Sequence, residues 1–154
     1  MTTTSGTGNA NNFDSQVRVA VYRHIVDAGG VPKAAQVAVA VGCAPPDILS
    51  AFQRLAAAHS LVLQADGELL MANPFSAVPT AFEVVVNHRR WWGNCIWDAL
   101  GCVAALGGEG SVLTSCGCCG FALAVDVSGG RVRGEGIVHF ALPARRWWDD
   151  IVFN

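Results

Sequence analysis

Val17, Val21, Ile25 and Val26 recur every three or four positions after a polar opening, which predicts an amphipathic helix. Asp14 or Ser15 can cap its start, and Gly29-Gly30 ends it. A shorter helix is predicted after Pro32, running to about Val41 and closed by Gly42. A third begins at Pro45-Pro46-Asp47, where proline suits the first turn and the carboxylate favours the positive end of the helix dipole. It turns Ile48, Leu49, Phe52 and Leu55 inward. After His59 the period shortens. Residues 61–64 and 68–72 flank an Asp66-Gly67 turn and read as a hairpin.

Residues 1–12 carry only Thr, Ser, Gly, Asn and Ala after Met1, too little apolar surface to offset the entropy of ordering, and are expected to be a disordered tail. Residues 13–72 then form a winged-helix-like module, three helices and a hairpin. Pro74 and Pro79 hold residues 73–79 extended as a linker. In the second half, residues 82–86 read as a strand. A helix follows from Asn94, a good cap, to Leu106, stopped by Gly107-Gly108. Strands are predicted at 111–115, 121–127 and 136–142, with Ser128-Gly129-Gly130 turning into Arg131-Val132, and a last helical turn opens at Pro143. The fold class is therefore α+β: the helical module, then a small mixed sheet with one main helix over residues 80–154.

A 52% hydrophobic share with 14% charged residues is ample for a core, and the net charge of −2 gives no general attraction to nucleic acid or anionic membranes. The longest apolar stretch, residues 34–44, is interrupted by Gln36 and too short to span a bilayer. A winged helix suggests DNA binding. From Asp14 to Ala72, however, four basic residues face five acidic ones, and Arg54 is the only cation of the third helix. Such a module reads as a structural or docking domain rather than a nucleic-acid reader. Six cysteines could make three disulfides, but residues 1–12 hold no apolar leader, so the expectation is a cytoplasmic chain with reduced thiols.

The chemistry concentrates in Arg89-Arg90-Trp91-Trp92-Gly93-Asn94-Cys95-Ile96-Trp97-Asp98. On a helix, Cys95 and Asp98 leave one face within a turn, where a thiolate can hold a soft metal or attack an electrophile and the carboxylate can carry its proton. In the first turn, the dipole and free N–H groups would lower the thiol pKa. Cys95, Ala99, Cys102 and Leu106 equally have the spacing of a packing stripe. Cys116 and Cys119 have CxxC spacing without a matching second pair, which argues against structural zinc. Cys118 and Cys119 are extra thiols in a glycine-flanked turn, suited to mercury, copper(I) or a redox couple. His24 and His59 read as solvated residues of the helical module.

Thr80-Ala81-Phe82-Glu83-Val84, Trp91-Trp92, the Cys95 to Asp98 step and Ser115-Cys116 resemble the catalytic domain of organomercurial (alkylmercury) lyases over residues 79–154. The N-terminal half is compatible with that family's small helical domain. The resemblance implies cleavage of carbon–mercury bonds by protonolysis in mercury detoxification, with no organic cofactor and an organomercurial as small-molecule substrate. It makes Cys95 the first thiolate ligand, Asp98 the proton shuttle and Cys116 a buried structural cysteine on a strand. The family's second catalytic cysteine is expected just after a segment like Trp147-Trp148-Asp149-Asp150-Ile151-Val152-Phe153. The sequence stops at Asn154, so the domain is expected to be incomplete at that end, with weakened turnover or with Cys118 or Cys119 as the replacement ligand. The alternative is a non-catalytic winged-helix regulator or soft-metal-binding module that senses mercury or copper.

Overall fold

The computed structural model describes residues 5–152. Three helices come first, α1 (Ser5–Ala28), α2 (Ala34–Val41) and α3 (Pro45–Ala57). The tail expected over residues 1–12 is thus helical from Ser5 on, while residues 1–4 lie outside the described residues. Once the apolar stripe has nucleated the helix, each added residue gains a hydrogen bond at little further cost, so α1 runs back past the predicted cap. Val17, Val21 and Ile25 are fully buried, whereas Val26 falls off the stripe and is exposed. Gly42 closes α2 in the left-handed region, φ 79°, its N–H reaching the Ala38 carbonyl at 2.8 Å. At the other end of α2, the Glu68 carboxylate accepts from the Ala34 N–H at 2.8 Å. Hairpin and helix are thereby joined by a charge placed on the helix dipole.

The hairpin pairs β1 (Val62–Leu63) with β2 (Leu69–Ala72) around Gly67, φ 85°. A third strand lies within the predicted linker. β3 (Phe75–Ser76) pairs antiparallel with β2, and Phe75 bridges to Gly93. The larger sheet contains β4 (Glu83–Val86), β5 (Arg89–Trp92), β6 (Gly110–Ser115), β7 (Ala122–Ser128) and β8 (Arg131–Arg133) in the order β5-β4-β6-β7-β8. Every pairing is antiparallel, so the sheet is not mixed as expected: its connections are hairpins and one helix, α4 (Ile96–Ala105). β5 replaces what the sequence suggested was a lead-in to the helix. It returns from β4 through Asn87-His88, both at positive φ, a two-residue turn whose twist suits a hairpin.

The strand predicted over residues 136–142 does not form. Gly136, φ 140°, breaks the extension after β8, and Phe140 instead packs against Trp147 with ring centroids 5.3 Å apart. Pro143 then leads into the predicted last turn, a 3-10 helix over Ala144–Asp149.

One hydrophobic cluster runs through both halves. Ile25, Ile48, Phe52 and Leu69 from the helical part join Phe75, Val84, Trp91, Cys102, Val103 and Val112 from the sheet part. Polar contacts reinforce this junction. The Trp91 indole donates to the Ile25 carbonyl (3.0 Å), and the Arg89 guanidinium donates to the Val26 and Asp27 carbonyls. Arg89 thus supplies donors to carbonyls at the open end of α1, and Trp91 adds a second donor to the Ile25 carbonyl, which also accepts from the Gly29 N–H at 3.1 Å. Among the described residues no single helix is long and apolar enough to cross a membrane. All six cysteines are free thiols.

Candidate active site

Strand β5 ends at Trp92, and Gly93 then passes directly beneath the start of α4. A Cβ on Gly93 would lie 2.6 Å from the Cα of Ala99, closer than real side-chain contacts come, so only glycine lets the helix sit this low. Thr80 fixes the same point from the other side. Its hydroxyl donates to the Gly93 carbonyl and accepts from the Phe82 N–H. This anchoring sets where the next two residues, Asn94 and Cys95, emerge.

Cys95 is the N-cap of α4, with extended backbone, rather than a residue of its first turn; the sequence had suggested Asn94 for the cap. Asp98 occupies the third helical position, and the Asn94 side-chain amide donates to its carboxylate at 3.0 Å. Asn94 therefore positions the carboxylate instead of capping the helix. The Cys95 thiol lies close enough to interact with the same carboxylate.

The electrostatics differ from the expectation of an activated thiolate. Burial pushes the Cys95 thiol above its ordinary value, and the Asp98 charge adds to this. The N–H groups of Asp98 and Trp97 favour the thiolate without reversing the shift. Burial likewise raises the Asp98 carboxyl, partly offset by the Asn94 and Cys95 hydrogen bonds. Both raised values follow from the wall around the pair, which keeps water from the charged forms. The arrangement thus sets a thiol and a carboxyl side by side, each biased toward its protonated form by burial.

That wall encloses a cavity of about 530 Å³. Met71, Asn73 and Ser76 come from the small sheet and Thr80 and Phe82 from the approach to β4. Trp97 rises from α4, and Trp147, Trp148, Ile151 and Val152 close it from the last turn. His59, expected to be merely solvated, stacks on Trp148 at 4.3 Å with ring planes 8° apart, tying this last segment to the helical part. Cys102 is buried one turn along the core side of α4, its thiol against the Pro74 carbonyl (3.4 Å), and burial raises its pKa strongly. It belongs to the packing stripe. Of the stripe predicted from the sequence, Ala99 and Cys102 are buried core, and Cys95 is the member that faces the cavity.

Cys118 and Cys119 do not line this cavity. The structure brings them together with Cys116 in the turn between β6 and β7, where the three sulfur atoms lie within 4.8 Å of one another. Cys116, expected on a strand and buried, sits just past the end of β6 and is only half-buried. The turn's hydrogen bonds, from Cys116 N–H to the Phe121 carbonyl and from Gly120 N–H to the Cys116 carbonyl, pull it out of the strand.

Sequence reasoning singled out Cys95 and Asp98, which the structure places in one cavity lining, but did not foresee Asn94 as the partner of Asp98 or the aromatic closure by Trp147 and Trp148. The doubled tryptophan just beyond Pro143 was the available signal for the latter.

The chain is, as a class, an antiparallel α+β protein with a thiol beside a carboxyl in a largely apolar cavity. The family model for alkylmercury lyase (MerB) matches residues 75–153, half of the chain, and the protein belongs to the alkylmercury lyase family. Among solved structures it is similar to the mercury-bound form of MerB2, at 18% identity and a TM-score of 0.59. The match covers 77% of this chain and 58% of that one, so this chain spans less than two thirds of that neighbour's length; at this identity the likeness is one of fold. No curated protein matches the chain.

Proposed function

We propose that this protein cleaves the carbon–mercury bond of organomercurials, with Cys95 as the capturing thiol and Asp98 as the proton carrier. The observation that carries this reading is that Cys95 and Asp98 line the same cavity, side by side at the start of α4, with otherwise largely apolar walls. When an organomercurial cation R–Hg⁺ meets the pair, mercury takes the sulfur and the thiol proton passes to Asp98. The products of this step are Cys95–S–Hg–R and a neutral carboxyl. Alkyl carbanions are very poor leaving groups, so the carbon must receive a proton as its bond to mercury breaks. Asp98, whose hold on a proton is strengthened by burial, returns that proton to carbon. A thiol co-reactant supplies the second sulfur as its thiolate, leaving R–H, a dithiolate mercury and the Asp98 carboxylate. Trp97, Trp147 and Val152 offer the organic group an apolar face. Mercury here is substrate and product, and the residues require no organic cofactor.

Anaerobic incubation of the reduced protein with an organomercurial and excess small thiol, with measurement of released hydrocarbon, tests this reading. Release that Cys95→Ser abolishes supports it. Release that persists in Cys95→Ser, or stoichiometric mercury capture unchanged in that variant, removes Cys95 from the site and refutes it.

A further inference from the structure

The turn between β6 and β7 carries a second concentration of thiols that the lyase reading does not use. Its sequence is Cys116-Gly117-Cys118-Cys119-Gly120, and the backbone closes on itself through the Gly120 N–H to the Cys116 carbonyl at 2.8 Å. Gly120, φ 72°, takes the left-handed conformation the closure needs. Cys118 and Cys119 are exposed and Cys116 is half-buried, so the group opens to solvent.

We propose that Cys116, Cys118 and Cys119 form a separate site that takes a soft cation, mercuric or cuprous, on three thiolates. Two observations support it. The sulfur atoms lie within 4.8 Å of one another, while a metal–sulfur bond of about 2.3 Å puts sulfurs roughly 4 Å apart around a shared ion, so only a small inward rotation is needed. The donor set is sulfur alone, which selects thiophilic ions over the oxygen-seeking ones. Capture releases the thiol protons to solvent and changes no oxidation state. Three ligands leave the site short of the four that structural zinc takes, whereas an exposed trigonal sulfur site suits mercuric or cuprous ions and permits their later transfer to another thiol.

The experiment is an anaerobic titration of the reduced full chain with mercuric chloride, and in parallel with a cuprous complex. Bound ions are counted by native mass spectrometry, and the sulfur-to-metal charge-transfer absorption is followed. Cys95→Ser should still bind one ion, and the Cys116→Ser, Cys118→Ser, Cys119→Ser triple variant should bind one fewer than wild type. In the Cys95→Ser background, a trivalent organoarsenical, which needs neighbouring thiols, should block uptake. This arm does not depend on the triple variant folding. Equal stoichiometry in wild type and triple variant overturns the proposal. So does uptake by Cys95→Ser that the arsenical leaves untouched.

Discussion

Replacing Asp98 with asparagine separates two roles that one carboxylate performs. The amide keeps the size of the side chain and can still accept from Asn94 through its oxygen, so the start of α4 should hold. It cannot carry a proton. Among the described residues Asp98 is the one carboxylate lining the cavity, so no neighbour can take over the transfer. The loss should therefore be the full contribution of a positioned acid, ~10²–10⁴-fold in cleavage rate, or about 3–5 kcal/mol in the barrier. The thiol should respond in the opposite direction. Asp98 raises the Cys95 pKa both by its charge and by accepting the thiol hydrogen bond, and the asparagine removes the charge. Alkylation of Cys95 at neutral pH, followed peptide by peptide by mass spectrometry, should accelerate while hydrocarbon release falls. Slower alkylation, or undiminished cleavage, would refute the proton-carrier account.

Stability gives an independent reading of the same variant. The folded-state pKa of Asp98 is raised, because burial disfavours its charge. The contribution from this group is therefore most favourable below its unfolded value, about pH 4, and is lost as pH rises through the higher folded value. Asp98→Asn does not titrate. Its stability relative to wild type, from urea unfolding, should rise between pH 4 and neutrality; a difference that is flat with pH would show that the carboxyl is not desolvated in the fold.

Three further outcomes follow from the packing. Gly93→Ala should cost about 1–3 kcal/mol in urea unfolding and reduce mercury capture by Cys95, because the new methyl meets the backbone of Ala99; a neutral effect would mean that α4 can ride up freely. Trp91→Phe removes one of the two donors to the Ile25 carbonyl, the other being the Gly29 N–H at 3.1 Å, and should cost about 0.5–1.5 kcal/mol, read from the same unfolding curves. The helical part should show negligible duplex DNA binding in gel retardation at physiological salt, since Arg54, the lone cation of α3, is engaged by Asp14 at 2.6 Å; specific retardation of a promoter fragment, released by a mercury salt, would favour the sensor reading instead.

The three helices were legible because their apolar spacing, prolines and closing glycines agree, and Val17, Val21, Phe52 and Leu55 all fall in the core. The Asp66-Gly67 hairpin was legible for the same reason. β5 was hidden: Arg89-Arg90-Trp91-Trp92 has no alternation, and its register comes from pairing with β4, as in Val84 opposite Trp91. The strand misread at 136–142 shows the converse, an apolar run that pairs with no strand among the described residues, which leaves Ile137 almost fully exposed. At the site, the three-residue step from Cys95 to Asp98 was visible as spacing. The direction of the thiol shift was not, because it depends on burial beneath residues more than fifty positions further along, Trp147 and Trp148. Similarly, Cys116 looked like a strand cysteine until the closing hydrogen bonds of its turn were seen.

The placement of these parts gives the helical half a role that needs no ligand of its own. Trp91 and Arg89 anchor β5 to the end of α1, and Gly93, directly after β5, sets the start of α4. His59, at the end of α3, receives Trp148 and so fixes one wall of the cavity. The floor and one wall thus both refer back to the helices. An error of about 1 Å in either contact would alter the approach of a substrate carbon to Asp98, and such misplacement can cost a factor of a hundred in rate. Removing the ring of His59 should therefore lower turnover while leaving mercury capture by Cys95 largely intact, since capture needs only the sulfur and cleavage needs the aligned acid. Equal loss of both would place His59 in the stability of the fold instead.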